Sequence, residues 1–347
     1  MKFLSLKVKN LNILILFKME KVVIIGSNCF SGSHFISYLL ENTNYEIIGI
    51  SRSPEYNPVL LPYKGKENGR FKFYRMDLNK DLDLMMKLFQ DEKIDYVVNF
   101  AAQGMVGQSW DNPLHWYKTN ILGIVGLVEK LRDLDSLKKY VHISSPEIYG
   151  ASDNLTEDNI QINPSTPYAN SKSAADVHIK LIADQFDFPA VFVRSTNVYG
   201  PAQQLYRIIP IASIKIKKGE KIQLQGGGKA VKSYIHIRDV CEGYLKIMET
   251  GRNGEAYHLS PDRGYSIREL VELICDKLNA SFEDVVEIVD ERPGQDAQYV
   301  ISSEKARNEL DWKPKITIDE GINECIDWVN QNWEIVKDMP LSYIHKE

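Results

Sequence analysis

The sequence predicts a doubly wound α/β fold, in which helices cover both faces of a parallel β-sheet. Short apolar runs rich in β-branched residues recur from Lys21 to Arg194, and segments with helical periodicity separate them. Strands that alternate with helices pair in parallel, because each helical crossover returns the chain to the same end of the sheet. Glycine and polar motifs stand directly after these runs, which is where such sheets bind their ligands.

The sheet is expected to contain six strands, at Lys21–Ile25, Tyr45–Ile50, Phe71–Arg75, Tyr96–Phe100, Tyr140–Ser144 and Ala190–Arg194. Helices are expected after the first strand to about Glu41, over 113–135 and over 168–186. Shorter elements follow, with helices expected near 205–218, 239–249, 267–278, 302–309 and 318–333. This change predicts a smaller C-terminal lobe, mainly residues 196–347, that interleaves with the first domain.

The composition is that of an ordinary globular protein. The chain has 347 residues, of which 44% are apolar and 26% charged, and its net charge is −5. A negative net charge without a long basic run gives no reason to expect nucleic acid as a partner. The scattered cysteines argue against structural zinc and disulfides, so no metal is predicted and a cytoplasmic location is expected. They are Cys29, Cys241, Cys275 and Cys325.

Residues 1–18 precede the first strand. Their apolar run, Leu11–Phe17, is interrupted by Asn12 and is shorter than the roughly 20 residues that span a bilayer. Lys18-Met19-Glu20 lacks the small residues of a signal-peptide cleavage site. We therefore expect no membrane span, and either a loosely attached extension or a start codon assigned too early, with Met19 as the first residue.

A glycine motif follows the first strand and opens a helix. Gly26 and Gly32 stand at the outer positions of a G-x-x-G-x-x-G pattern whose middle position is Cys29. In this context the backbone approaches a pyrophosphate, and the helix N-terminus faces its charge. Cys29 can replace glycine if its φ is negative and its side chain turns away from the phosphate. The sequence therefore predicts a Rossmann-type dinucleotide-binding domain, mainly residues 19–195.

The end of the second strand bears on the choice of dinucleotide. Ser51 and Arg52 stand where NAD-binding chains usually place an acidic residue for the ribose hydroxyls. A hydroxyl and a guanidinium suit a 2′-phosphate, so NADP is favoured over NAD, and both stay open. Further cofactor-binding residues are expected at Asn28, Phe30, Ser31, Asp77, Leu78, Ala101, Ala102, Gln103, Asn120, Tyr168 and Lys172.

Tyr168 and Lys172 form the expected chemical centre. They are four residues apart on a predicted helix, so they lie about one turn apart on one face. An ammonium group beside a phenol favours the phenolate. The hydroxyl of Ser145, at the end of the fifth strand, could share its hydrogen bond to a substrate alcohol. This arrangement suits removal of a proton from a sugar hydroxyl while its carbon gives up hydride.

Taken together, these motifs resemble an extended short-chain dehydrogenase/reductase of the nucleotide-sugar epimerase and dehydratase kind. The resemblance spans about Lys21 to Trp333 and rests on Gly26–Gly32, Asp77, Ala101-Ala102, Asn120, Ser145, Tyr168, Lys172, Asn197-x-Tyr199-Gly200-Pro201 and Arg292-Pro293-Gly294. It implies a nicotinamide cofactor and a nucleoside-diphosphate sugar held between two lobes. The substrate residues that it implies are Gln103, Ser109, Ser145, Glu147, Asn197, Arg207, Lys232 and Arg292.

The triplet Ser145-Pro146-Glu147 indicates the subtype. The 4,6-dehydratases of the family have a carboxylate at the third position, which simple 4-epimerases lack. On a straight strand Glu147 would point to the same face as Ser145, where it could remove the C5 proton. The predicted activity is therefore an NDP-hexose 4,6-dehydratase that forms a 4-keto-6-deoxy sugar. Pro146 departs from the pattern, because the usual Asp protonates the leaving hydroxyl and proline has no side-chain donor.

Other functions stay open on the same residues. An NDP-sugar epimerase, a decarboxylase or a 5,6-ene-forming dehydratase would use the same Tyr168 and Lys172, and a non-catalytic dinucleotide sensor is the alternative of another class. The resemblance also implies a homodimer, with a four-helix contact through 113–135 and 168–186. Exposed apolar side chains are then expected at Ile121, Ile124, Val177 and Leu181.

Overall fold

The structure, a computed structural model, describes residues 4–8, 11–15, 19–158, 161–290 and 298–346. Its centre is a sheet of seven parallel strands. The first strand of this sheet in chain order, Lys21–Ile25, lies in the middle, and the strand order later reverses to the other side of it, which leaves a crevice at the carboxyl ends of the strands. From edge to edge the strands are Ala256–Leu259, Ala190–Ser195, Lys139–Ile143, Tyr96–Asn99, Lys21–Ile25, Glu46–Ser51 and Phe71–Arg75. The predicted fold class is confirmed.

Both faces of the central sheet are buried, as its nearly continuous apolar strands require. Along the first strand, Val22 and Ile24 pack into one core and Val23 and Ile25 into another, because successive side chains point to opposite faces. The first core is closed by helices Phe30–Asn42 and Ile237–Thr250. The second is closed by Leu82–Glu92, Ile124–Leu131 and Pro167–Phe186.

A smaller lobe is built from short strands and helices. One of its sheets joins Asn197–Tyr199, Val231–His236, Gln298–Ile301, Ser152–Leu155 and Gly264–Ser266, and another pairs Ile222–Gln225 with Val286–Val289. Its helices are Ile208–Lys218, Ile267–Lys277, Phe282–Val285 and Ile318–Gln331, and Glu304–Leu310 and Trp333–Val336 follow the same half of the chain. The lobes interleave, because Ser152–Leu155 joins the small sheet while Ala256–Leu259 joins the central one.

The observed elements differ from the predicted ones in several informative places. The central sheet has a seventh strand, Ala256–Leu259, that was not predicted. A helix at Leu82–Glu92 was not predicted either. The helix expected over 113–135 is divided into Pro113–Tyr117, a π-helical turn at Lys118–Gly123, and Ile124–Leu131. The fifth strand ends at Ile143, and Pro146–Tyr149 forms a 3-10 turn.

The N-terminal extension contains two antiparallel strands, Leu4–Val8 and Leu11–Ile15, which pair with each other. Within the part of the chain that the structure describes, no helix is long and apolar enough to cross a membrane.

Candidate active site

A cleft of about 960 Å³ lies at the carboxyl ends of the central strands and extends to the small lobe. It brings together most of the residues that the motifs had singled out. Those on its wall are Gly26, Asn28, Cys29, Phe30, Ser31, Ser51, Arg52, Asp77, Leu78, Ala101, Ala102, Gln103, Ser145, Glu147, Tyr168, Lys172, Asn197, Arg207 and Lys232. Gly32, Ser109 and Asn120 do not line the cleft, and Arg292 lies outside the described residues.

The glycine turn has the geometry that a dinucleotide site needs. Gly26 has φ +90°, and a Cβ there would stand 2.8 Å from the Ala101 amide nitrogen. A Cβ on Gly32 would stand 2.5 Å from the Gly26 carbonyl oxygen, so Gly32 allows helix and strand to approach closely. Both positions therefore require glycine. The turn delivers the N-terminus of helix Phe30–Asn42 to the cleft, where its free amides suit a diphosphate.

Cys29 meets both conditions set for replacing glycine. Its φ is −74°, and its Sγ caps the helix by accepting a hydrogen bond from the Gly32 amide at 3.2 Å. The thiol thus points back into the turn. Burial raises the pKa of Cys29 to about 11, so the group stays a neutral thiol at neutral pH.

The loop after the second strand is held to the glycine turn. The Ser51 hydroxyl accepts a hydrogen bond from the Asn28 amide at 3.0 Å, and Asn28 Nδ2 donates to the carbonyls of Ser53 and Pro54 at 3.1 and 2.8 Å. Ser51 therefore positions the turn. Arg52 stays at the surface of the cleft, and its Nη2 donates to the Lys346 carbonyl at 3.0 Å.

Asn120 positions two walls of the cleft from behind. It is buried in the π-helical turn Lys118–Gly123, a kind of irregularity often found near functional sites. Its side chain exchanges hydrogen bonds with the backbone of Gln103 at 2.8 and 3.0 Å and donates to the Ser171 hydroxyl at 2.9 Å. Ser171 in turn donates to the Tyr168 carbonyl at 2.7 Å. Asn120 thus links the loop of Ala101–Gln103 to the helix of Tyr168.

Tyr168, Ser145 and Glu147 meet at the centre of the cleft. Burial raises the pKa of the Tyr168 phenol and the negative charge of Glu147 adds to the rise, whereas a hydrogen bond with Ser145 and the charge of Arg207 lower it. The Glu147 carboxylate is therefore near enough to the Tyr168 phenol for its charge to affect the pKa of the phenol. The helix begins at this point because Thr166 caps it, accepting from the Ala169 amide at 3.1 Å, and Pro167 occupies its first position.

The expectation that Glu147 shares one face of a straight strand with Ser145 is wrong. Ser145 and Glu147 are not on a straight strand, because the strand ends at Ile143 and Pro146 begins the 3-10 turn. The fixed φ and missing amide of proline suit the first position of a helical turn. The Ser145 hydroxyl caps this turn, accepting from the Glu147 amide at 3.3 Å. Glu147 reaches the cleft from the turn.

Lys172 is supported by a buried polar network. Its Nζ donates to the Ile143 carbonyl at 2.7 Å and lies 3.5 Å from Nε2 of His142. Asp176, one turn further along the helix, accepts hydrogen bonds from Ser144 at 2.7 Å and Arg194 at 2.9 Å. Burial lowers the pKa of Lys172 to about 8, and the charge of Asp176 opposes this shift. Burial also lowers the pKa of His142 well below its usual value, so His142 is neutral.

The small lobe supplies the polar side chains expected for a substrate diphosphate. Asn197 Nδ2 donates to the Ser233 carbonyl at 3.1 Å, and Arg207 stands directly before helix Ile208–Lys218. Lys232 lies on the central strand of the small sheet. Ser109 is different, since it is fully buried and its hydroxyl donates to the Val106 carbonyl at 2.6 Å. The structure therefore places Ser109 in support of a loop.

Two features of the site were missed from the sequence. Asp176 stands four residues after Lys172, so its spacing could have indicated a carboxylate below the lysine. The C-terminal segment also lines the cleft with Met339, Pro340, Ser342, Tyr343, Ile344 and Lys346. No motif in that segment indicates where it lies.

The chain matches a known protein family over most of its length. Residues 23–325 match the family described as GDP-mannose 4,6 dehydratase. The chain belongs to this family. The resemblance to an extended short-chain dehydrogenase/reductase is thereby confirmed, and so is the predicted activity of an NDP-hexose 4,6-dehydratase.

Individual relatives agree with this assignment. The chain is similar to the dTDP-D-glucose 4,6-dehydratases of Homo sapiens, at 31% identity over 92% of this chain and 93% of that protein, and of Bos taurus, at 32% over 90% of each. Among solved structures, it is similar to the dTDP-glucose 4,6-dehydratase DesIV of Streptomyces venezuelae with NAD bound. That likeness has a TM-score of 0.84 and 27% identity, and it covers 90% of this chain and 98% of the other.

Proposed function

We propose that this dehydratase binds NAD or NADP together with a nucleoside-diphosphate hexose, and that it removes water across C5 and C6 of the sugar. The observation that supports this most directly is that Glu147 lines the same cleft as Tyr168 and Ser145, where a carboxylate could serve as a second base. A 4-epimerase needs the phenol and Ser145 but has no use for a second base. dTDP-glucose is the first substrate to test, since the human and bovine relatives are named for it.

The turn at Gly26 and the N-terminus of helix Phe30–Asn42 would hold the cofactor diphosphate. A bound nicotinamide would accept hydride from C4 of the sugar and return it to C6. Tyr168 removes the proton of the C4 hydroxyl, with the Ser145 hydroxyl sharing that hydrogen bond. Lys172 was expected to lower the pKa of this phenol, but that pKa is raised, chiefly by burial, and the groups that oppose the rise are Ser145 and Arg207.

Glu147 is the base for C5 and, in this proposal, also the acid for the leaving C6 hydroxyl. Once C4 is a ketone, the C5 hydrogen is acidic enough for a carboxylate to remove. Pro146 occupies the position of the usual acid and has no proton to give. Glu147 then carries the proton taken from C5, and it can pass that proton to the C6 oxygen as the C–O bond breaks.

The test is the mass of the product formed in deuterated water from a panel of dTDP-, UDP-, GDP- and CDP-hexoses. The proposal predicts loss of one water and incorporation of deuterium at C5, because return of hydride to C6 leaves an enolate whose C5 takes its proton from the solvent. A product of unchanged mass with altered stereochemistry would show that the enzyme is an epimerase and not a dehydratase. The fold does not separate these two reactions, since the UDP-glucuronic acid 4-epimerase of Bacillus cereus is similar at a TM-score of 0.80 and 26% identity.

NADP in preference to NAD stays part of the proposal. Arg52 provides a cation at the end of the second strand, and no acidic residue stands between Ser51 and Ser53. A guanidinium is a strong partner for a 2′-phosphate, whereas ribose hydroxyls are usually bound by a carboxylate.

A homodimer is also proposed, through the helices at 113–131 and 167–186. Leu122, Val177 and Leu181 are 68%, 46% and 61% exposed, although they are apolar. Of the other residues expected to be exposed, Ile121 is only partly so, and Ile124 is 1% exposed and belongs to the core, because the π-helical turn shifts the helix face by part of a turn. A cytoplasmic location is proposed on the free thiols of Cys29, Cys241, Cys275 and Cys325.

A further inference from the structure

The chain that follows the last helix, Trp333–Val336, turns back over the protein. Met339 and Leu341 pack against a small apolar cluster that contains Leu205 and Val329. From Tyr343 onwards, alternate residues face inward, since Tyr343 and His345 are half-buried while Ile344 and Lys346 are exposed. This alternation is that of an extended chain lying on a surface.

Aromatic and hydrogen-bond contacts tie this segment to both sides of the cleft. On the small-lobe side, the Tyr343 ring packs edge-to-face on Tyr206, with centroids 5.5 Å apart. On the other side, His345 Nε2 lies 2.8 Å from Nδ1 of His115, and the planes of the two rings are parallel to within 5°. The His345 ring is also parallel to that of Trp116, with centroids 5.2 Å apart.

The Lys346 carbonyl makes a further contact, which spans the crevice itself. The Lys346 carbonyl accepts hydrogen bonds from Gln103 Nε2 at 2.6 Å and from Arg52 Nη2 at 3.0 Å. Arg52 follows the second strand of the central sheet and Gln103 follows the fourth, on either side of the strand that leads to the glycine turn. One carbonyl therefore joins the two loops between which a dinucleotide would lie.

We propose that residues 343–346 form the outer wall of the cofactor site and hold the dinucleotide in place through successive turnovers. The ammonium of Lys346 lies 3.4 Å from the Ser53 hydroxyl and 5.1 Å from the centre of the Tyr56 ring. It thus adds positive charge beside the loop expected to receive the cofactor ribose. Tyr343, His345 and Lys346 are positioning residues in this proposal.

Retention of the cofactor fits the chemistry of the proposed function, on which this inference rests. Hydride taken from C4 returns to C6, so the reaction oxidises and reduces the sugar within one turnover and leaves the cofactor unchanged. A dehydrogenase must release its cofactor in every cycle, whereas this enzyme need not. A segment that slows cofactor release therefore does not slow turnover.

The experiment compares the full chain with three variants: a chain that ends at Leu341, the substitution His345→Ala, and the control Ile335→Ala. Ile335 is 46% exposed on the short helix that precedes the segment and does not line the cleft, so its substitution tests the loss of an apolar side chain outside the proposed wall. The rate of cofactor release is measured by stopped-flow fluorescence of bound NADH and NADPH, without substrate. Circular dichroism and thermal unfolding check that each variant is folded.

We expect the shortened chain to release the cofactor about tenfold or more faster, the scale of losing a hydrogen bond to a charged group. The release rate of His345→Ala should lie between those of the shortened and the full chain, and that of Ile335→Ala should match the full chain. Release rates within twofold of one another, or tighter binding by the shortened chain, would overturn the proposal. Because no substrate is present, the outcome does not depend on whether the product has lost water.

Discussion

Nζ of Lys172 donates a hydrogen bond of 2.7 Å to the carbonyl of Ile143, the last residue of the strand that leads to Ser145. This contact ties the helix of Tyr168 to the strand end that presents Ser145 and Glu147. A shift of the helix along the strand would therefore separate the phenol from both partners. The catalytic groups are held by backbone geometry as well as by their own side chains.

Tyr168→Phe should abolish turnover and leave cofactor binding intact. The phenol is expected to act on the C4 hydroxyl, and the loss of such an acid–base group costs about 10²–10⁴-fold in rate. Steady-state kinetics and cofactor titration measure the two effects separately. A variant with near-normal turnover would show that the catalytic assignment is wrong.

The pH dependence of the reaction should report on Lys172. Its pKa is lowered to about 8 by burial, so the ammonium form is lost as the pH rises through about 8. If this charge assists Tyr168, kcat should fall above that pH. Nζ of Lys172 lies near His142 and the Ile143 carbonyl on the neighbouring strand, and the charge of Asp176, on its own helix, favours the protonated lysine.

Asp176→Asn should therefore move the alkaline fall in kcat to lower pH, since removing the negative charge lowers the Lys172 pKa further. It should also destabilise the fold by about 3–5 kcal/mol, because Arg194 loses its buried counter-charge. Ser144→Ala removes one hydrogen bond to Asp176 but keeps the charge, so its pH profile should stay in place. Asp184→Asn, at an exposed site on the same helix, is the surface control. An unchanged profile in Asp176→Asn would contradict the role given to this carboxylate.

Glu147→Gln should stop water loss and still allow slow reduction of the cofactor by oxidation at C4. The amide keeps the shape of the side chain but cannot remove the C5 proton. Absorbance of reduced nicotinamide at the start of the reaction, together with the product mass, distinguishes the two half-reactions. Formation of a dehydrated product at an undiminished rate would exclude Glu147 as the base.

Arg52→Ala should weaken NADP binding by about 1.5–3 kcal/mol, the scale of a hydrogen bond to a charged group, and have little effect on NAD. Arg52→Lys keeps the charge but loses the bidentate donor geometry, so its affinity for NADP should lie between those of the unaltered chain and of Arg52→Ala. Calorimetric titration of the purified protein with each cofactor measures this. Equal affinity of the unaltered chain for NAD and NADP would remove the basis for the preference.

Leu181→Glu should convert the proposed dimer to a monomer, because two charges would be buried at the symmetric contact. Leu84→Glu is the matched control, since Leu84 is similarly exposed, at 57%, on a helix outside the proposed interface. Light scattering at micromolar concentration reports the mass. If the unaltered chain is itself a monomer, the proposed homodimer is wrong.

The sequence alone determined the sheet and the centre of the site. The strands were predicted to within a residue or two because most of them are continuous buried apolar runs; Phe71–Arg75, at the sheet edge, is the partly exposed exception. Gly26 was found from its glycine turn, and Tyr168 and Lys172 from their spacing within one helix. The missed strand Ala256–Leu259 is only four residues long, and its place at the sheet edge depends on pairing with Ala190–Ser195, far away in the chain.

Only the tertiary structure decided the features that depend on distant contacts. The turn at Pro146 redirects Glu147, the π-helical turn moves Ile124 into the core, and Ser51 is used to hold the glycine turn. The path of residues 343–346 follows from partners at Gln103, His115 and Tyr206, more than a hundred residues earlier. No local pattern records such partners, because each side chain in an extended tail finds its place only after the surface beneath it has folded.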